Sequence, residues 1–282
     1  MSAAPALIQE TAPAKLNLVL HVGHPRADGL HPLCSLFASI DLADDVVVAP
    51  TGLGADSVEC PGVDGPNLAM AALSAFRNSA GAALPPLAVR ISKRIPVAAG
   101  LGGGSADAAA VLRAANAIAG HPLDADGLRT LAAELGSDVP SQIEPRHQLV
   151  QGVGELVEPI ALPPLTAVLI PAAEGLSARA VYAELDRLDG SRPSLDPGSV
   201  RELAASTAEE LSASVENDLE RAALSLRPDL ERTLSDLRAS GAPAAAVSGS
   251  GPTCFALFPD RAAAEAAAAG VDGALVTDLA AH

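Results

Sequence analysis

The residues whose spacing carries the most chemistry lie at Pro96–Ala110, which reads PVAAGLGGGSADAAA. Gly100, Gly102, Gly103 and Gly104 fall between an expected strand and an expected helix. Glycines at such a junction let backbone N–H groups approach a phosphate closely, and the helix N-terminus adds partial positive charge. Ser105 can cap that helix or offer its hydroxyl to a phosphate or a magnesium ion, and Asp107 in the first turn suits the helix dipole. A basic pair, Lys93-Arg94, stands just upstream. Two familiar phosphate loops are excluded. GxGxxG fits at neither Gly100 nor Gly102, and no lysine follows the glycines as GxxxxGK[ST] requires. By itself the cluster is equally a flexible turn.

The elements that must position this loop follow from periodicity. KLNLVLHV at 15–22 alternates, so Leu16, Leu18, Leu20 and Val22 share one strand face and Lys15, Asn17, Val19 and His21 the other. Strands are expected around 33–41, 46–49 and 87–92, and helices at 67–80, 105–119 and 126–135, the last ending at Gly136. After Pro163-Pro164 the pattern restarts with a strand at 165–170 and helices near 177–188, 198–212, 215–225 and 228–239. Strands near 244–248 and 253–258, a helix at 260–269 and a strand near 273–277 close the chain. With the extra helices set aside this is β-α-β-β-α-β, the split ferredoxin-like order. We therefore expect an α+β protein of two domains, residues 1–160 and 161–282.

Composition narrows the function. The 282 residues are 49% hydrophobic, enough for a sizeable core. A net charge of −16 and 2% aromatic residues argue against a nucleic-acid binder, which needs basic surface and stacking platforms. Among 18 basic residues only Lys15 and Lys93 are lysines. Cys34, Cys60 and Cys254 lack any metal spacing and read as buried free thiols. The opening MSAAPALIQETAPAK lacks signal-peptide character, and no apolar run is long enough to span a membrane, so a cytoplasmic protein is expected.

Several motifs together give a specific resemblance. PVAAGLGGGSADAAA is similar to the P-x-x-x-G-L-G-(G/S)-S-(S/A) motif of the GHMP kinases. APAKLNLVLHVGHPRADGLHPL resembles the branch that phosphorylates a cytidine diphosphate-linked methylerythritol in isoprenoid precursor synthesis. Gly136-Ser137-Asp138-Val139-Pro140, Gly152-Val153-Gly154-Glu155 and Val247-Ser248-Gly249-Ser250-Gly251-Pro252 also match in order. The resemblance implies a ribosomal-protein-S5-like N-terminal domain, a ferredoxin-like C-terminal domain, and the cofactors ATP and Mg2+. It implies Asp138 as the base with Lys15 beside it. ATP would be held by Pro96, Gly100, Leu101, Gly102, Gly103, Gly104 and Ser105, with Lys93 and Asn67 near the nucleotide and the metal beside Ser105. Asn17, His31, Tyr182, Ser248, Gly249 and Gly251 would hold the small-molecule substrate. A homodimer stays open.

Plainer readings stand beside these. Ser137-Asp138-x-Pro140 is by spacing a helix N-cap signature, Asn67 caps its own helix, and the Ser248–Gly251 segment is a hairpin turn. Lysine on an exposed strand face ordinarily serves solubility. The sequence also departs from the branch. Leu30 stands where an aromatic is usual, Ser141-Gln142 follow Asp-Val-Pro, and Pro145 occupies a segment that normally contains glycine. These changes leave open a kinase for another small alcohol, or a nucleotide-binding homologue without turnover.

Overall fold

A computed structural model describes residues 7–52, 54–63, 65–80, 84–172 and 174–281, so the first six residues of the opening segment lie outside the described residues. The chain divides into two compact units that are not contiguous in sequence. The first takes residues up to Ala14, Leu42–Val97 and Gly102–Pro145; the second takes Lys15–Asp41, Ala98–Leu101 and Arg146 onward.

Strands β1 (Ile8–Val22) and β2 (Leu33–Pro50) each contribute residues to both units. The first unit adds β3 (Ser57–Glu59), α1 (Leu68–Ala80), β4 (Leu87–Ser92), α2 (Gly103–Ile118) and α3 (Ala125–Ala133), then a 3-10 turn at Pro140–Gln142. Its strands lie in the order β3-β4-β2-β1. Antiparallel register pairs Val46 with Ile91 and Val48 with Val89, which puts alternate β-branched residues into one core with Leu73 and Phe76 of α1. Helix α2 is buried through Ala106, Ala108, Ala109, Ala110, Ala114 and Ala115, side chains small enough for close approach by a neighbouring helix.

The second unit contains β5 (Gln148–Gly152), β6 (Leu156–Pro159), β7 (Thr166–Ile170), α4 (Ala178–Arg187), α5 (Pro197–Ala204), α6 (Ala208–Ala213) and β8 (Glu216–Asn217). It continues through α7 (Glu220–Leu226), α8 (Leu230–Ala239), β9 (Ala245–Val247), β10 (Cys254–Phe258), α9 (Arg261–Ala268) and β11 (Leu275–Asp278). The order β11-β7-β10-β9, all antiparallel, is the ferredoxin-like sheet expected from the β-α-β-β-α-β pattern. Beside β1 runs β8, in parallel, with Val19 opposite Glu216.

Four expectations are corrected. The two apolar runs at 33–41 and 46–49 are one strand, because Asp44 in the polar interval is buried and paired rather than turned to water. The helix expected at 198–212 breaks into α5 and α6, since Thr207 and Glu210 form a capping box that restarts it. The helix expected from 215 starts at 220, because Asn217 Oδ1 accepts the Leu219 N–H and holds the chain in a turn. Of the three free thiols, Cys34 and Cys254 are buried and Cys60 is half-buried.

Candidate functional site

In the first unit, Gly102 occupies the N-cap of α2 in the left-handed region (φ 70°) with no side-chain cap. Ser105 therefore sits inside the first turn and is not the cap. The N–H groups at the start of α2 have no helical acceptor. Gly103 is closely packed: a Cβ there would lie 3.0 Å from Ile95 Cγ2 and 3.3 Å from Lys93 Nζ, and one of these side chains would have to give way. At Gly104 a Cβ would meet nothing within 4 Å, and the residue is exposed. Its space opens away from the protein.

Lys93 lies beneath this helix start. Its ammonium donates to Asp44 Oδ2 at 2.5 Å and to Asp107 Oδ2 at 2.8 Å, while Asp44 Oδ1 accepts the Arg94 and Ile95 N–H groups. Two carboxylates and one ammonium leave the cluster one negative charge in excess. Burial pushes the Asp107 carboxyl up to about 6 against the pull of Lys93, and Asp44 pushes it the same way. Burial opposes the charge on Lys93, but bonds to both aspartates hold its pKa above the ordinary lysine value. Asp107 is thus not the first-turn dipole partner expected; it is past the first turn, buried, and committed to Lys93.

Asn67 caps α1 through Oδ1, which accepts the Ala69 N–H at 2.8 Å, as its plainer reading required. Asp138 lies in the turn before the 3-10 helix, whose N-cap is Val139, so neither Ser137 nor Asp138 fills the cap position suggested by spacing. Ser141 Oγ donates to the Asp138 carbonyl at 2.8 Å. Arg113 on α2 donates to the Gln142 carbonyl at 2.6 Å, to the Thr11 carbonyl and to Glu10, so the segment after Asp138 is tied to both α2 and β1.

In the second unit the polar face of β1 is buried. Lys15 is 5% exposed and Asn17 3%, which removes the solvated-lysine reading. Lys15 Nζ donates to Asn17 Oδ1 at 2.6 Å and lies 4.7 Å from the Phe37 ring centroid. Asn17 Nδ2 donates to Ser35 Oγ, which donates in turn to the Val19 carbonyl. This chain fixes the orientation of the Asn17 amide.

The turn Ser248–Gly251 approaches the same pair. A Cβ at Gly249 (φ +57°) would lie 3.0 Å from Asn17 Oδ1 and 3.4 Å from Lys15 Nζ. Residues 98–101 pack on this turn: Ser248 Oγ donates to the Gly100 carbonyl, and Thr253 N to the Ala99 carbonyl. A Cβ on Gly100 would fall 2.5 Å from the Ser248 carbonyl oxygen. Gly100 is a packing glycine as well as a loop glycine, while Leu101 is buried and its carbonyl accepts the Lys15 N–H. His31 and Tyr182 also come together, with ring centroids 5.2 Å apart. His31 Nδ1 donates to the Gly23 carbonyl, and Nε2 lies 3.4 Å from Asp186 Oδ1. Leu30, which precedes His31 in the chain, is 49% exposed. Pro96 belongs to the first unit and is half-buried. The Gly152–Glu155 motif is a self-capped turn, Glu155 accepting the Val153 N–H.

Comparison with known proteins decides the family. Residues 67–144 match the GHMP kinases N terminal domain and residues 196–276 the GHMP kinases C terminal domain. A 4-diphosphocytidyl-2-C-methyl-D-erythritol kinase of Nocardia farcinica is 41% identical over 97% of this chain and 92% of that protein. The chain belongs to the GHMP kinases, in the branch of these relatives. A protein of the same name from Paracoccus denitrificans is also 41% identical, over 94% of this chain and 92% of its own. A crystal structure of 4-(cytidine 5'-diphospho)-2C-methyl-D-erythritol kinase superposes with TM-score 0.79 at 36% identity, covering 98% of this chain and all of that one. Homoserine kinase from Cytophaga hutchinsonii, TM-score 0.73 at 18% identity over 99% and 96% of the two chains, shares the fold. Membership makes the protein a small-molecule kinase with ATP as phosphate donor. Among the described residues no helix is long and apolar enough to cross a membrane.

Sequence reasoning missed Asp44, Asp107 as a partner of Lys93, Ser35, Arg113 and Asn217. Only Asp44 left a signal, as one of three aspartates between the two apolar runs of β2.

Proposed function

We propose that this GHMP kinase transfers the γ-phosphate of ATP to the 2-hydroxyl of 4-diphosphocytidyl-2-C-methyl-D-erythritol. The observation that carries the reading is 41% identity along nearly the whole chain to a kinase of that name, with Lys15, Asn17, the glycine loop and Asp138 all present. The substrate oxygen attacks the γ-phosphorus, the bond to the ADP oxygen breaks, and the hydroxyl proton passes to Asp138. Lys15 supplies a compact positive charge that orients the hydroxyl, and its bond to Asn17 holds that charge in place. N–H groups at Gly102–Ser105 take the ATP phosphates, supported by the open space at Gly104.

Mg2+ suits the donors available. Among the described residues no group of three or more His, Cys, Asp or Glu side chains could hold a metal. A hard cation would rest on phosphate oxygens with the Ser105 hydroxyl beside it, where it would neutralise phosphate charge. His31, Tyr182 and the exposed Leu30 form the end that receives the pyrimidine, with Ser248, Gly249 and Gly251 closing over the substrate. Lys93 acts from beneath α2 by holding the loop, and Asn67, already a cap, borders the nucleotide. A reducing, cytoplasmic setting suits the three free thiols. The acidic chain has no part in nucleic-acid binding, and a homodimer is compatible with this chemistry.

The test is purified protein with ATP, magnesium and the cytidyl substrate, followed by ADP release. ADP production with that substrate is expected. Turnover only with another alcohol would replace the substrate, and ATP binding with no turnover on any alcohol would remove the activity.

A further inference from the structure

The turn at Ser248–Gly251 is held from a direction that no motif marks. Asn217, at the end of β8, donates both protons of its amide: one to the Val247 carbonyl and one to the Gly249 carbonyl, each at 2.7 Å. Its Oδ1 accepts the Leu219 N–H at 2.8 Å. Three bonds in three directions fix the amide plane and leave its donors fully used. Val247 is gripped a second time, because its N–H donates to Glu220 Oε2 at 2.9 Å.

The bonded carbonyls bracket Ser248 and end at Gly249, where an added Cβ would meet Asn17 Oδ1 at 3.0 Å and Lys15 Nζ at 3.4 Å. Gly249 lies in the left-handed region and Gly251 does too (φ 80°), so the turn has wide backbone freedom. Among the described residues no backbone carbonyl accepts from the Gly249 or the Ser250 N–H. They are the donors a ligand could use: the Gly249 carbonyl held by Asn217 sets the direction of the Ser250 N–H in the same peptide plane, while the Ser248 carbonyl, which accepts the Gly251 N–H, sets that of the Gly249 N–H.

We infer that Asn217 is a positioning residue: its amide holds the Ser248–Gly251 turn in the one orientation that presents backbone donors to the phosphorylated part of the substrate. The inference rests on the proposed reading of that turn as substrate-binding. Asn217→Asp keeps the size and the Leu219 acceptor but sets a carboxylate oxygen against two carbonyl oxygens. Asn217→Ser keeps one donor and serves where the aspartate variant fails to fold.

The experiment measures KM for the cytidyl substrate and for ATP, kcat, and amide hydrogen exchange over 247–251, below the melting temperature of each variant. Gly249→Ala is the control for the turn itself. Asn217→Asp is expected to raise the cytidyl KM at least about ten-fold, with the ATP KM within about two-fold and exchange at 247–251 about ten-fold faster. Asn217→Ser should fall between it and wild type. A merely structural asparagine would lower Tm without this split between substrates. If Gly249→Ala raises the cytidyl KM and both Asn217 variants leave it and the exchange unchanged, the positioning role is overturned and the proposed function stands. If Gly249→Ala also leaves KM unchanged, the turn holds no substrate, and both the positioning role and that part of the site fall together.

Discussion

Gly104→Ala should stabilise the protein and weaken ATP binding at once. Three of the four loop glycines have reasons inside the protein. Gly100 lies against the Ser248 and Gly251 carbonyls, Gly102 is a left-handed N-cap, and Gly103 packs on Ile95 and Lys93. Gly104 is exposed, helical, and would place a Cβ in open space. In a helix glycine costs about 0.5–1 kcal/mol relative to alanine. Alanine should therefore raise Tm by roughly 1–4 °C for a chain of this size. If the open face receives a phosphate, the methyl group displaces it from one or two backbone donors. A hydrogen bond to a charged group is worth about 1.5–3 kcal/mol, so ATP should bind about ten- to a hundred-fold more weakly. Thermal melting and titration calorimetry with ATP measure the two effects separately. Higher Tm with unchanged ATP affinity would refute the assignment of Gly104 to the phosphate cradle. A lower Tm would refute the geometry itself.

Lys15→Arg should depress kcat by about a hundred-fold or more while the ATP KM stays near wild type, because a planar guanidinium cannot occupy the enclosed space between Asn17 and Phe37; near-normal turnover would exclude a chemical role for that ammonium. Gly100→Ala combines a strained φ of +77° with backbone oxygens at 2.5 and 2.7 Å, so it should cost at least about 1–3 kcal/mol in chemical denaturation; unaltered stability would contradict the packing of residues 98–101 on the turn. Asp107 has a folded pKa raised to about 6 from 3.8, so the stability it contributes is full below about 3.8 and is lost as pH rises through about 6. The stability of wild type relative to Asp107→Asn should therefore fall by about 1–3 kcal/mol between pH 4 and 6.5, and parallel melting curves across that range would disprove it.

Most elements were legible because their patterns are local. The strand at 87–92 has the expected bounds, α2 and α8 lie within a few residues of theirs, and the ferredoxin-like order follows from element succession. Strands β5 and β6 were missed. Their backbone finds its partners in β2 and in each other, and β6 is a four-residue strand with mostly exposed side chains. The Thr207–Glu210 capping box was readable and overlooked, since apolar periodicity continues across the break between α5 and α6. The alternation in β1 was read correctly, with one face buried and the other able to present Lys15 and Asn17, but the burial of that second face was not legible. Burial of that face depends on residues such as Ser35 and Phe37, which are distant in sequence.

The two lysines show how neighbouring residues mislead when their direction is ignored. Arg94 beside Lys93 suggests that arginine is tolerated there, which would make Lys93 a remnant of composition. The structure separates the two positions. The Arg94 guanidinium is 55% exposed, pairs with Asp45 at the surface, and bonds the Ala43 carbonyl. The Lys93 side chain is 13% exposed and ends between two buried carboxylates, with the space above Gly103 only 3.3 Å from its nitrogen. A guanidinium is longer, planar and broader, and it could not reach both Oδ2 atoms without displacing the first residue of α2. Lys15 is enclosed in the same way, by Asn17, Phe37 and the Gly249 backbone. In a chain that otherwise uses arginine for every basic position, lysine persists at two buried points where a compact charge must fit beneath glycine backbone. The glycine and the lysine at each point constrain one another, so enlarging either one crowds the other.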